Sequence, residues 1–300
     1  MNQHIFIDRF TQSLASLFVG KTRFFSESID SPPISELFSA VVLDETPVTQ
    51  GQHEIKADTP EGLIDPAYLV YQLKGKEYPT IIYHHGNNER PFDFGKHSKN
   101  SFKTIFHDAE SPIEANIIAI RAPFHNSSLK DYQQKIARMS NFTTLLATSV
   151  KVVDALVKAL KSAGYHKPVS VSGISLGGWV TNLHRTYFNS ADRYIPLLAG
   201  AALGDLFINS VYRKMADQKV QENPEKVREI LNFEDDFLKV SDDNVFPLLG
   251  LYDQYIRYKR QKQCYGSTNI SILRKGHVTA LLAAGDLRKN IQMAAGLEQC

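Results

Sequence analysis

Three hundred residues suffice for one large α/β domain, and 43% hydrophobic with 22% charged residues is the balance of a chain that buries a core, which excludes fibrous and disordered classes. Thirty-four Lys and Arg against 32 Asp and Glu leave a net charge of +2, too little for a phosphate-tracking surface, so nucleic acid is not the expected partner. The two cysteines, Cys264 and Cys300, make neither a disulfide framework nor a metal-ligand pair, and no metal is expected.

The chain begins with a segment in which Phe6, Phe10, Leu14, Leu17 and Phe18 recur at helical spacing. Asp8 and Arg9 interrupt its apolar stretch and no small-residue cleavage site follows, so a signal peptide is not expected and cytoplasmic residence is. The apolar stripe is expected to dock the helix on the protein body. Peripheral membrane contact is the alternative, disfavoured because the polar side lacks the basic residues of surface-binding helices. No other stretch approaches the length of an integral membrane span. Residues 1–66 read as this helix, a turn at Pro32 and Pro33, and lead-in strands packed on a main domain at 67–300.

From residue 67 short apolar runs rich in Val, Ile and Leu alternate with amphipathic stretches. The runs lie at 67–73, 79–85, 115–122, 168–173, 193–203, 244–252 and 269–274. Such runs are buried on both faces, which predicts an α/β fold with a mostly parallel central sheet flanked by helices. The clearest helix is predicted at 143–164, with Gly164 as its stop signal. A second is predicted from Val278 to Gly296. Arg257, Lys259, Arg260 and Lys262 at helical spacing read as a solvated helix face.

Residues 206–243 break this rhythm. They are charged and helical, contain no strand-like run, and exceed what a crossover needs. An insertion on the C-terminal side of a parallel sheet, where ligands bind, is expected to form a lid over a site.

The sequence Gly173-Ile174-Ser175-Leu176-Gly177 directly follows a predicted strand and precedes a predicted helix. A serine on so sharp a turn sits in a strained backbone conformation and projects its hydroxyl into a cleft, while flanking glycines admit neighbouring chain. On this motif and on the order of its elements, the chain resembles the α/β-hydrolase superfamily over roughly residues 67–296. A serine hydroxyl needs a base, and His277, just past the last predicted strand, stands where the superfamily places its catalytic histidine. The histidine needs a carboxylate. Asp253, ending the run one strand earlier, is favoured over Asp205, which ends the strand before that. The order Ser, Asp, His is also that of the superfamily.

The resemblance further implies an oxyanion hole from the backbone N–H groups of Leu176 and Asn87, the latter in the turn His84-His85-Gly86-Asn87. His85 is expected to be structural. The turn lacks the HGGG stretch of hormone-sensitive-lipase-like esterases, having Asn87-Asn88-Glu89-Arg90 in its place. Arg90, Arg121 and His125 follow strand ends and could meet an anionic group, though pairing with acids such as Glu89 or Asp93 is as natural. The resemblance thus implies a serine hydrolase that cleaves a small-molecule carboxylic ester or thioester without a cofactor. Acyl transfer to an alcohol or thiol, or a silent binding protein on the same scaffold, are the alternatives, and the oligomeric state is not readable.

Overall fold

A computed structural model describes residues 2–18, 22–240 and 243–297. Cys300, and Ser241 and Asp242 within the 206–243 insertion, lie outside the described residues. The described residues contain eleven strands: β1 (Val42–Leu43), β2 (Gly51–Glu54), β3 (Ala57–Thr59), β4 (Gly62–Ile64), β5 (Ala67–Gln72), β6 (Thr80–His84), β7 (Asn116–Arg121), β8 (Val169–Ile174), β9 (Arg193–Leu197), β10 (Leu248–Gly250) and β11 (Ser271–Leu273). Eight of them form one sheet in the order β11-β10-β9-β8-β6-β7-β5-β2, and β1, β3 and β4 form a small antiparallel one. From β7 to β11 every neighbouring pair in the large sheet is parallel, whereas β5 pairs antiparallel with both β7 and the edge strand β2.

Side-chain alternation explains why the central runs are apolar throughout. In β7, Ile118 and Ile120 join the core on one face while Ile117 and Ala119 join the core on the other. The first core takes in the helices Met139–Ser162 and Leu176–Tyr187, and the second takes in Phe102, Ile105 and the helix Ala284–Ala294. Gly164 ends the long helix with a φ of +83°, a conformation that costs glycine no Cβ clash.

Three expectations need correction. The predicted helix Val278–Gly296 is two, His277–Leu281 and Ala284–Ala294, because Ala283, with φ −94° and ψ 54°, leaves the helical path between them. Arg260 is not on a merely solvated face: its guanidinium reaches Asp205 Oδ2 at 2.5 Å and Glu234 Oε2 at 2.6 Å. The N-terminal helix Gln3–Phe18 docks by the opposite side from the one predicted. Asp8 and Gln12 are buried, while Phe6, Phe10, Leu14 and Leu17 are exposed. Polar pairing overrides hydrophobic periodicity here, since the Asp8 carboxylate is satisfied by backbone N–H groups of the body.

The 206–243 segment folds into short helices, Gly204–Asn209, Val211–Met215, Gln218–Glu222, Pro224–Leu231 and Glu234–Lys239. Among the described residues, no helix is long and apolar enough to cross a membrane.

Candidate active site

The site is built at the C-terminal ends of the central strands. Between β8 and the helix Leu176–Tyr187, Ser175 adopts φ 53° and ψ −107°. This is a conformation that costs a residue with a Cβ on the order of 1–3 kcal/mol and persists only when its surroundings fix it. Those surroundings are visible. Ser175 N–H donates to Leu197 O at 2.9 Å, and Ser175 O accepts from Trp179 N–H at 3.0 Å, starting the helix. A Cβ on Gly177 would stand 2.1 Å from the His84 carbonyl oxygen, and one on Gly173 would stand 2.4 Å from the Gly177 carbonyl. The glycines therefore let three backbone segments meet beneath the serine. Ser175 is half-buried between fully buried neighbours.

Ser175 opens into a cavity of about 240 Å³, which it shares with His277, Leu176 and Asn87. Phe24, Phe142, Trp179, Phe207, Tyr212 and Met215 give it a largely apolar wall, in which Phe207, Tyr212 and Met215 come from the 206–243 segment.

His277 begins the helix after β11, and its Nδ1 lies 2.8 Å from Asp253 Oδ2. The other carboxylate oxygen, Oδ1, accepts the Tyr255 and Ile256 N–H groups at 2.8 Å each, which fixes the carboxylate plane. The Tyr255 ring stacks on the imidazole with centroids 4.8 Å apart. Burial alone would lower the His277 pKa, but the Asp253 carboxylate, its hydrogen bond and the Asp8 carboxylate outweigh that and raise it. Burial raises the pKa of Asp253. With Nδ1 engaged by a carboxylate, Nε2 is the nitrogen left for proton exchange in the cavity.

Asp205 is placed elsewhere. Its oxygens meet Arg228 Nε at 3.2 Å and Arg260 Nε at 2.5 Å, and it accepts from Asn209 Nδ2.

Leu176 is the first residue of its helix, so its N–H has no carbonyl one turn back and is a free donor at the positive end of the helix dipole. Asn87 follows β6, and its side chain is held between two tyrosines: Tyr132 OH donates to Oδ1, and Nδ2 donates to Tyr212 OH at 3.2 Å. Glu89 secures the same turn by accepting from Ser101 N–H at 2.8 Å and from its hydroxyl at 2.5 Å. His85 braces the turn through Nδ1 to Gly86 O at 2.6 Å and through Nε2, which accepts Ala122 N–H at 3.0 Å. Burial holds His85 well below its ordinary pKa, so it stays neutral.

Of the residues that follow strand ends, Arg121 pairs with Glu54, at 2.5 Å, and not with Glu89 or Asp93. Arg90 donates to Ser127 O. His125 is buried and engaged with Pro123 O, and burial lowers its pKa to about 4. A second grouping of Ser190, His184 and Asp154 does not line the cavity that holds Ser175, and the Ser190 hydroxyl is bonded directly to Asp154 at 2.9 Å. Among the described residues, no cluster of His, Cys, Asp or Glu is arranged to hold a metal ion.

Sequence reading missed Asp8, Gln12, Tyr132 and Tyr212, contributed by segments distant from the motifs, and Tyr255, two residues after Asp253. Asp8 carried the one available signal, a carboxylate inside an apolar helical stretch.

No family model matches the chain, and no curated protein matches it. Solved structures do. It is similar to acetyl xylan esterase 1 from Thermoanaerobacterium sp. JW/SL YS485, at 15% identity over 93% of this chain and 98% of that one, with a TM-score of 0.57. It is also similar to an acylaminoacyl peptidase from Pyrococcus horikoshii, at 14% identity over 83% of this chain but 42% of the peptidase, with a TM-score of 0.56. A cold-adapted esterase from an Arctic intertidal metagenomic library matches at 13% identity over 83% of this chain and 96% of that one, with a TM-score of 0.50. At these identities the likeness is one of fold, and the fold is that of the α/β hydrolases.

Proposed function

We propose that this chain, an α/β hydrolase in its fold, is a serine hydrolase that cleaves a carboxylic ester or thioester through an acyl-enzyme on Ser175. The observation that carries the reading is the strained Ser175 turn, opening into one cavity with a histidine whose far nitrogen is bonded to a buried carboxylate. Ser175 Oγ attacks the substrate carbonyl carbon as its proton passes to His277 Nε2. Asp253 holds the imidazole and stabilises the imidazolium. The Leu176 and Asn87 amides receive the negative charge that develops on the carbonyl oxygen. The tetrahedral adduct expels an alcohol or thiol, which takes the proton from His277. Water then repeats the steps in reverse order, releasing the acid and restoring Ser175.

The apolar wall favours a hydrocarbon acyl group, and the 206–243 segment acts in this reading as the lid that adds Leu206, Phe207, Tyr212 and Met215 to that wall. We place the reaction in the cytoplasm, where a buried free thiol such as Cys264 stays reduced. The test is labelling of wild type and Ser175→Ala with a fluorophosphonate, read by intact mass. Labelling of wild type alone supports the reading, and a folded wild type that takes no label at any concentration overturns it.

A further inference from the structure

We propose that Asp8, on the N-terminal helix, is a positioning residue of this active site: its carboxylate ties the Asp253 loop to the His277 turn and keeps a negative charge beside the imidazole. The proposal rests on the triad reading above.

The geometry is specific. Asp8 is fully buried. Its Oδ2 accepts the N–H of His277 at 2.8 Å and that of Gln254 at 3.0 Å, and its Oδ1 accepts the N–H of Val278 at 3.0 Å. One carboxylate thus bonds to the residue after Asp253, to His277 and to the residue after His277.

These amides have few other partners. The helix His277–Leu281 starts after Gly276, which has no side chain to cap it, and first-turn N–H groups lack intrahelical acceptors. Asp8 supplies the cap from the far end of the sequence. The fit leaves no slack, because a Cβ on Gly276 would stand 2.7 Å from Asp8 Oδ2. One turn earlier, His4 Nδ1 lies 3.0 Å from Thr279 Oγ1, and the His4 ring stacks on Tyr252, so the same helix grips both loops twice.

This arrangement explains why the helix docks with its polar side inward. It also gives the side chain an electrostatic part. The groups facing the imidazole are Asp253, Asp8 and Tyr255, and both carboxylates favour the protonated ring that forms while Ser175 is acylated.

The experiment compares full-length wild type with Asp8→Asn, which preserves shape, removes the charge and turns one acceptor into a donor. Three experiments are run: steady-state kinetics with p-nitrophenyl butyrate for kcat and KM, the pH profile of kcat/KM, and the His277 titration by NMR. We expect kcat to fall about tenfold or more, KM to stay within about twofold, and the His277 pKa to move down. A folded variant with wild-type kcat and an unmoved His277 titration would leave Asp8 as a packing residue and overturn the proposal. The NMR titration does not require turnover, so it tests Asp8 even if fluorophosphonate fails to label wild type and the hydrolase reading falls. Should Asp8→Asn not fold, amide exchange in wild type decides: the Gln254, His277 and Val278 protons are expected to be protected, and exchange at open-loop rates would sink the idea.

Discussion

His277 and Asp253 share a 2.8 Å hydrogen bond between Nδ1 and Oδ2, with both side chains buried and the second carboxylate oxygen held by two backbone amides. The pH dependence follows. The base must be neutral to accept the serine proton, and its pKa is raised above the ordinary 6.5 by two carboxylates that outweigh burial. Hydrolysis should therefore rise with pH through an inflection above 6.5 and level off beyond it. In Asp253→Asn the loss of the nearer negative charge destabilises the imidazolium, so the inflection moves down, while the wrong tautomer cuts kcat by about 10³–10⁴-fold. Steady-state rates across pH 5–9 check both. An unmoved inflection in the variant would mean that another group titrates.

Asp205 and Asp253 both end strand-like runs, and their surroundings separate them. Asp205 is spent on Arg228, Arg260 and Asn209, away from the cavity that holds Ser175. Asp205→Asn should lower stability by about 1–3 kcal/mol, the arginines being partly solvated, and leave kcat within about twofold. Urea unfolding alongside steady-state kinetics separates the two effects. A collapse of kcat with unchanged stability would point to Asp205 as the acid.

The serine turn depends on backbone contact at Gly177. An added methyl would lie 2.1 Å from the His84 carbonyl oxygen and 2.6 Å from its carbon, and strand backbone cannot retreat as a side-chain tip can. Gly177→Ala should cost about 3 kcal/mol or more, and the displaced turn should slow fluorophosphonate labelling more than it slows folding. Denaturation midpoints and labelling rates measure the two. A variant as stable as wild type would show that the turn can shift as a unit.

How much of this was legible in the sequence depended on the range of the interactions involved. The parallel sheet followed from runs such as 115–122, because a strand buried on both faces must be apolar at every position. Ser175 and its flanking glycines form a local motif whose steric logic needs only five residues. The N-terminal helix was misread because periodicity counts apolar residues and cannot know that three amides await Asp8 between 246 and 270 residues away. The break at Leu282–Ala283 was equally invisible, since alanine and leucine favour helix on both sides of it. The clamp on Asn87 escaped for the same reason as Asp8: Tyr132 and Tyr212 arrive from separate segments.

Gln12 gives the cavity a polar feature that its aromatic wall does not. The side chain is 2% exposed, lines the cavity, and its Nε2 has no hydrogen-bond partner among the described residues. A buried donor left unpaired costs roughly 1–3 kcal/mol, which a substrate acceptor could restore. Gln12→Met keeps the volume and removes the donor, so the protein should gain about 1 kcal/mol in stability. The KM for plain alkyl p-nitrophenyl esters should fall, and that for acyl chains bearing an ether or hydroxyl oxygen should rise. Kinetics on a matched pair, hexanoyl and an oxygen-substituted chain of equal length, measures the difference. The ratio of kcat/KM between the two is the quantity that matters: a ratio unchanged by the substitution would mean that Gln12 faces solvent in the working enzyme and takes no part in choosing the acyl group.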